Sequence, residues 1–293
     1  MTAISSGVNE SRSTNRRTRA EMRELREAIY NITKEIQPAT VRQVYYQLVS
    51  QGLIEKTESA YRNIVIRLLT AMRRERIIPF KWISDNTRWM RKPRTYSSLA
   101  HMLEESQEFY RRDLWHDQDV YVEIWLEKEA LAGVIYDVTA EWDVPLMVTR
   151  GYPSLSYLHT AGEAIADQGK STYIYYLGDY DPSGLDIART VERGIREFAP
   201  EAEVEFNRIA VTEKQIEIWR LPTRPTKMTD TRSKYFRGES VEVDAMPPRL
   251  LRSLVKRSIE QHVNRWRFDQ LRLTEAAEHE TLNRIVCNLG VVQ

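Results

Sequence analysis

One stretch constrains the fold more than any other: residues 173–187, read as Y-I-Y-Y-L-G-D-Y-D-P-S-G-L-D-I. A short apolar run rich in Ile, Tyr and Leu has the composition of a buried strand. It stops at Gly178, and Asp179 and Asp181 follow at once, with Pro182, Ser183 and Gly184 closing the turn. Leu185, Ile187, Ala188, Val191 and Ile195 then fall into a helical pattern. A strand that passes into a helix in this way belongs to an open α/β sheet, where ligands bind outside the carboxyl ends of the strands. Two aspartates at i and i+2 can point their oxygens at one hard cation such as Mg²⁺. They can equally form an acidic turn in which one Asp caps the helix. The D-x-D spacing alone does not separate the two.

The sequence around this turn repeats the alternation. A strand is expected over 120–126, ending at Glu127 and leading into a helix, with further strands at 145–149 and 203–210. Helices are expected at 154–166 and 184–198, and two more at about 248–266 and 268–286. Strand and helix in alternation predict a parallel α/β sheet finished by C-terminal helices. Glu123, mid-strand, and Glu129, expected inside the helix, are weaker candidates than Glu127 for a carboxylate at the sheet's carboxyl edge. The segment 238–248 places Glu242 and Asp244 on one face, opposite Val241 and Val243. They could reach the same edge, or line a strand whose acids are solvated. The basic loop 220–237 lacks periodicity and is expected to touch a ligand or partner.

The first third of the chain is of another kind. Residues 1–16 are Ser, Thr, Asn and Arg with almost nothing apolar, the composition of a disordered tail. Helical spacing runs from about 17 to 36, and Pro38 ends it. Thr40 with Gln43 forms a capping box for a helix reaching towards Gly52, and a further helix spans about 57–76. Residues 77–83, I-I-P-F-K-W-I, have the look of a short extended wing, followed by a basic strip. Helix, turn, helix and wing predict a winged helix-turn-helix over 17–96. An all-helical dimerisation unit is the competing reading. Net charge is only +1 overall, yet residues 1–96 hold 19 Lys and Arg against 9 Asp and Glu. A basic module on an acidic body points to a polyanion, and Arg62, Arg67, Arg73, Arg74, Arg88, Arg91, Lys92 and Arg94 are the candidate phosphate contacts. A solvated basic surface docked on the acidic body is the plainer account. Residues 97–118 connect the two parts as an amphipathic helix, and 119–293 form the second domain. The single Cys287 excludes an intrachain disulfide, and no apolar run approaches the length of a membrane span. No secretory signal opens the chain, so a cytoplasmic, nucleoid-associated protein is expected.

A lone Glu at one strand end, two strands before a G-D-x-D turn that opens a helix, resembles the Toprim domain of topoisomerases, primases and certain nucleases. Upstream, R-Q-V-Y-Y at 42–46 resembles the R-x-x-Y-Y motif in the A chain of topoisomerase VI and in the related transesterase that makes meiotic double-strand breaks. The resemblance covers the architecture from about residue 39 to 286. It implies Mg²⁺, as one or two ions, at Glu127, Asp179 and Asp181, with Glu127 binding metal or acting as general acid or base at the sugar 3′-oxygen. It also implies Tyr46 as the nucleophile towards double-stranded DNA, Arg42 beside it, and a homodimer in which one protomer's tyrosine meets the other's metal site. Helical arithmetic agrees in part. Val41, Val44, Tyr45, Leu48 and Val49 form one apolar stripe, and Tyr46 falls off it, on the face of Arg42. Tyr46 is therefore expected to be exposed, with its phenolate favoured by the guanidinium.

The chain is shorter than typical A chains of that family and carries no G-x-x-x-x-G-K-[ST] ATP signature, so ATP-driven strand passage would need a separate ATPase chain. A compact homologue of the kind found on bacterial mobile elements fits its length. Two alternatives stand beside cleavage by a tyrosine: a hydrolytic Toprim nuclease without tyrosine linkage, and a non-catalytic DNA-binding protein.

Overall fold

A computed structural model of the chain describes residues 18–83, 95–225, 236 and 238–290, with the side chains of 289 and 290 left aside. It is a mixed α/β structure: helices first, then a four-stranded parallel sheet, then C-terminal helices.

Helix α1, Arg19–Ile36, starts at a capping box between Thr18 and Glu21 and buries Leu25, Ile29 and Ile32. Helix α2, Val41–Ser50, starts at the expected box between Thr40 and Gln43. The third helical run opens as α3, Glu58–Ala60, passes through a π-helical stretch, Tyr61–Ile66, and continues as α4, Arg67–Arg74. Val65, Leu68, Leu69 and Met72 turn inward from it. The expected wing over 77–83 is not extended. Phe80–Trp82 is a 3₁₀ turn, and Ile83 makes a single parallel bridge to Ala39. Pro79 fixes the entry to that turn, and the Ala39 N–H bonds the Trp82 carbonyl at 3.1 Å.

Helix α5, Leu99–Phe109, buries no residue of its own and packs along the long C-terminal helix α11, Arg265–Gly290. The sheet has β1, Val120–Leu126, and β3, Ser171–Leu177, at its centre, flanked by β2, Leu146–Val148, and β4, Val204–Ala210. The order is β2-β1-β3-β4, with Leu126 opposite Leu177. Helices α6, Ala132–Glu141, α7, Leu155–Gln168, α8, Pro182–Phe198, α9, Glu213–Trp219, and α10, Pro248–Glu260, complete the body.

The period-two pattern of the strands sorts their side chains. Trp125, Ile174 and Tyr176 pack with Leu158 and Ile165 of α7 and Ile187, Val191 and Ile195 of α8. Val122, Ile124, Leu126, Tyr175 and Leu177 join Val134 and Ile135 of α6 and Leu251 and Val255 of α10. This second cluster continues into Ile29, Val44, Leu48 and Leu69, so the N-terminal helices and the α/β body share an apolar core. Among the described residues, no helix is long and apolar enough to cross a membrane.

Candidate active site at the carboxyl edge of the sheet

Because β1 and β3 run parallel and in register, the residues that follow them emerge side by side. The Glu127 N–H bonds the Leu177 carbonyl at 2.9 Å, and Glu127 Oε2 accepts from the Asp179 N–H at 3.0 Å. A Cβ at Gly178 would lie 2.5 Å from Glu127 Oε2, so the glycine makes room for the glutamate. The Glu127 carboxylate is thus held against the backbone of the turn that carries Asp179. Burial, and then the Asp179 charge, push Glu127 up to about 7.

Asp181 follows a different path. It is the N-cap of α8, its Oδ1 accepting from the Gly184 N–H at 2.8 Å, while its Oδ2 faces Arg224 at 3.5 Å. The two aspartates of D-x-D therefore divide the two roles that the spacing left open: Asp181 caps, and Asp179 faces the cleft. Gly184 is forced by the same turn, since a Cβ there would sit 2.2 Å from the Asp179 carbonyl oxygen.

Arg208 of β4 holds the turn from below. Its guanidinium donates to the carbonyls of Gly178 at 2.8 Å, Gly184 at 3.2 Å, Val211 at 3.1 Å and, closely, Asp179. Lys128 stands in front of it. Its ammonium lies 2.9 Å from Asp179 Oδ1, 2.8 Å from Asp244 Oδ2 and 3.2 Å from Glu242 Oε2. Sequence reasoning passed over both. A charged residue inside an otherwise strand-like run marks Arg208; Lys128 is hidden in the alternating E-K-E at 127–129.

Glu242 and Asp244 do reach the site, but not as solvated strand acids. Val243–Ala245 is a 3₁₀ turn, and Glu242 and Asp244 are 5% and 3% exposed. The Val243 N–H bonds Asp179 Oδ1 at 2.8 Å, and the Thr40 hydroxyl donates to Asp244 at 3.3 Å. Arg42 on α2 donates to Glu242 at 2.5 Å. Burial works against ionisation of Glu242, but Lys128 and Arg42 outweigh it and hold the carboxyl at about 2.

Tyr46 requires a correction. Instead of lying exposed, it is 3% exposed, packed on Tyr45 with ring centroids 5.2 Å apart and covered by the Lys56 ammonium at 5.5 Å. Burial, and then Glu242, push its phenol above the ordinary tyrosine range, so the phenolate is disfavoured. The helical wheel saw one packing face of α2; the chain supplies a second, where Lys56 bonds the carbonyls of Pro222 and Thr223. Tyr45 is buried as its place on the apolar stripe implied. The competing glutamates are otherwise engaged, Glu123 within the sheet and Glu129 on the cleft wall. Glu123 is enclosed between Tyr121 and Trp125, and Glu129, in a 3₁₀ turn rather than an α-helix, pairs with Arg150.

Arg62, Arg67 and Arg74 are exposed on α4 and the stretch before it, whereas Arg73 turns to line the cleft and stacks on Phe80, 4.7 Å from its centroid. Arg88, Arg91, Lys92 and Arg94 lie outside the described residues, as do the 1–16 tail and most of the loop at 220–237. The cleft has a volume of about 680 Å³, with Arg42 and Tyr61 on one wall and Glu127, Lys128 and Asp179 on the other.

As a cation site, the donor set is mixed. Glu127 and Asp179 suit a hard divalent ion: all-oxygen donors, adjacent, with a mutual repulsion that a cation would relieve. Asp181 is committed to its cap and to Arg224. Among the described residues no group of three or more His, Cys, Asp or Glu side chains is arranged to hold a metal ion. In comparisons with known proteins, the chain matches no family model and no curated protein.

Proposed function

We propose that the chain is a DNA-cleaving transesterase of the kind found in the A chain of topoisomerase VI, its N-terminal helices serving as a helix-turn-helix DNA-binding unit and its sheet as a Toprim domain. One observation carries the reading. The R-x-x-Y-Y helix and the D-x-D turn, far apart in sequence, meet at one cleft through Arg42, Glu242 and Lys128. Arg42 faces the charge that builds on the non-bridging oxygens of an attacked phosphate. The Tyr46 hydroxyl gives up its proton to solvent once uncovered, and its oxygen forms the bond to phosphorus as the bond to the 3′-oxygen breaks, leaving a 5′-phosphotyrosyl link and a 3′-oxygen that takes up a proton. Mg²⁺ held by Glu127 and Asp179 would supply neutralisation of the phosphate oxygens, with Glu127 then ionised as a ligand; in the cation's absence the raised Glu127 carboxyl would instead give a proton to the leaving oxygen. Attack requires the cover over Tyr46 to open; the cleft brings Arg42 and the D-x-D turn together within one chain, in place of the expected meeting of one protomer's tyrosine with the other's metal site, and a homodimer with two such sites would cut both strands of duplex DNA.

The burial of Tyr46 favours a second reading, in which water attacks and no protein–DNA bond forms. Supercoiled DNA with Mg²⁺, denatured in SDS with and without protease, separates the two. Protein-linked ends that vanish in Tyr46→Phe and in Asp179→Ala support the transesterase. Unlinked cleavage that survives Tyr46→Phe supports the hydrolytic nuclease, and binding without cleavage removes both.

A further inference from the structure

Glu242 is surrounded by more positive charge than one carboxylate needs. Its Oε2 accepts from Arg42 at 2.5 Å and Lys128 at 3.2 Å, and its Oε1 from Arg224 Nη1 at 2.6 Å. These cations come from three separate parts of the chain: α2, the end of β1, and the segment before residue 226. A fourth, Lys56, stands close by, bonded to the neighbouring carbonyls of Pro222 and Thr223. Each oxygen of the carboxylate thus has its own guanidinium. A phosphodiester offers the same pattern: one negative charge spread over two non-bridging oxygens, which guanidinium groups bind well.

We propose that Glu242 is an internal stand-in for a DNA phosphodiester: Arg42, Arg224 and Lys128 form an anion site that the carboxylate fills in the free protein and a backbone phosphate takes on binding. The proposal rests on the DNA reading above and adds to it Arg224 and the exchange at Glu242. The exchange strands no charge on Lys128, which keeps Asp179 at 2.9 Å and Asp244 at 2.8 Å. It also has a mechanical result. The Arg42–Glu242 pair, with the Thr40–Asp244 bond, ties the start of α2 to the segment at 242–245. Moving Arg42 from Glu242 to a phosphate transfers one half of that tie from protein to DNA and leaves the Thr40–Asp244 bond as the other.

The test is equilibrium binding of a fluorescent DNA duplex without Mg²⁺, titrated with salt. Glu242→Gln frees Arg42 and leaves Arg224 only the longer contact to Asp181 at 3.5 Å, while Lys128 stays paired with Asp179 and Asp244, so binding is expected to tighten about tenfold at low salt, with a log–log salt slope steeper by about one. Arg224→Gln is expected to weaken binding and flatten the slope by about one. Affinity and slope unchanged or weakened in a folded Glu242→Gln protein overturn the proposal. So does an Arg224→Gln protein that binds like wild type, and this variant decides alone if Glu242→Gln does not fold. Absence of DNA binding by all three proteins overturns the anion site and the DNA reading together. The expected shifts without any protein-linked ends in the cleavage assay would sink the transesterase reading and leave the anion site standing.

Discussion

Replacing Lys128 by Met retains much of the stem but removes an ammonium shared by three buried or nearly buried carboxylates. Glu242 keeps Arg42 and Arg224. Asp179 and Asp244 do not fare as well: their remaining short contacts include the uncharged Val243 N–H at 2.8 Å and Thr40 hydroxyl at 3.3 Å. Stripping one partner from a buried ion pair costs about 3–5 kcal/mol, because the charge left behind stays desolvated. That is the expected loss for Lys128→Met at pH 8, read as a lowered midpoint in urea. Burial already raises the Asp179 carboxyl, and without the opposing Lys128 charge it should rise further above its unfolded value. Asp179 then binds its proton more tightly folded than unfolded, and stability falls as pH rises through that interval. The loss should therefore be smaller at pH 5 than at pH 8. A divalent cation should recover part of it in the variant, about 1.4 kcal/mol at tenfold its Kd, by entering the place the ammonium left. A loss below about 1 kcal/mol at pH 8, or one equal at both pH values, would refute the view that Lys128 holds this cluster together.

Gly184→Ala tests the turn itself: a methyl 2.2 Å from the Asp179 carbonyl cannot be relieved by the backbone alone, because Arg208 bonds the carbonyls of both residues. The expected cost is about 1–3 kcal/mol, with faster amide hydrogen exchange in the first turn of α8; an unchanged melting temperature would contradict it. Glu123→Gln tests a carboxyl that burial pushes above its ordinary range, with Trp125 and Tyr121 opposing through hydrogen bonds. A raised folded pKa means stability that is lost as pH climbs above the ordinary carboxylate value, so the neutral amide should flatten the fall in urea midpoint between pH 5 and pH 8. A slope identical to wild type would place that pH dependence elsewhere.

Local pattern was enough for much of the architecture. Period-two spacing located the four strands closely and period-3.6 spacing most of the helices, although α5 and α10 end well before the helices expected there and α9 was not foreseen, and the box of Thr40 and Gln43 marked the start of α2 as it stands. Alternation implied a parallel sheet, and parallel strands deliver their carboxyl ends to one edge, which is why Glu127 and Asp179 could be paired from spacing and strand direction. What local pattern cannot carry is a second contact face. Tyr46 lies off the stripe of α2 yet is buried, with Lys56 over its ring and that ammonium in turn bonded to the carbonyls of the distant Pro222 and Thr223. The V-E-V-D alternation at 241–244 left the acids either solvated or reaching the sheet's edge; the valines enter the core and the acids meet Arg42, Lys128 and Arg224. The wing failed for a similar reason, its residues held as a turn against Ala39. By itself the sequence determined which elements form and which carboxylates stand at the sheet's edge, since these follow from short-range spacing and strand direction. Only the tertiary structure decided which cations face those carboxylates and which tyrosine is covered, because both depend on where remote segments of the chain come to rest.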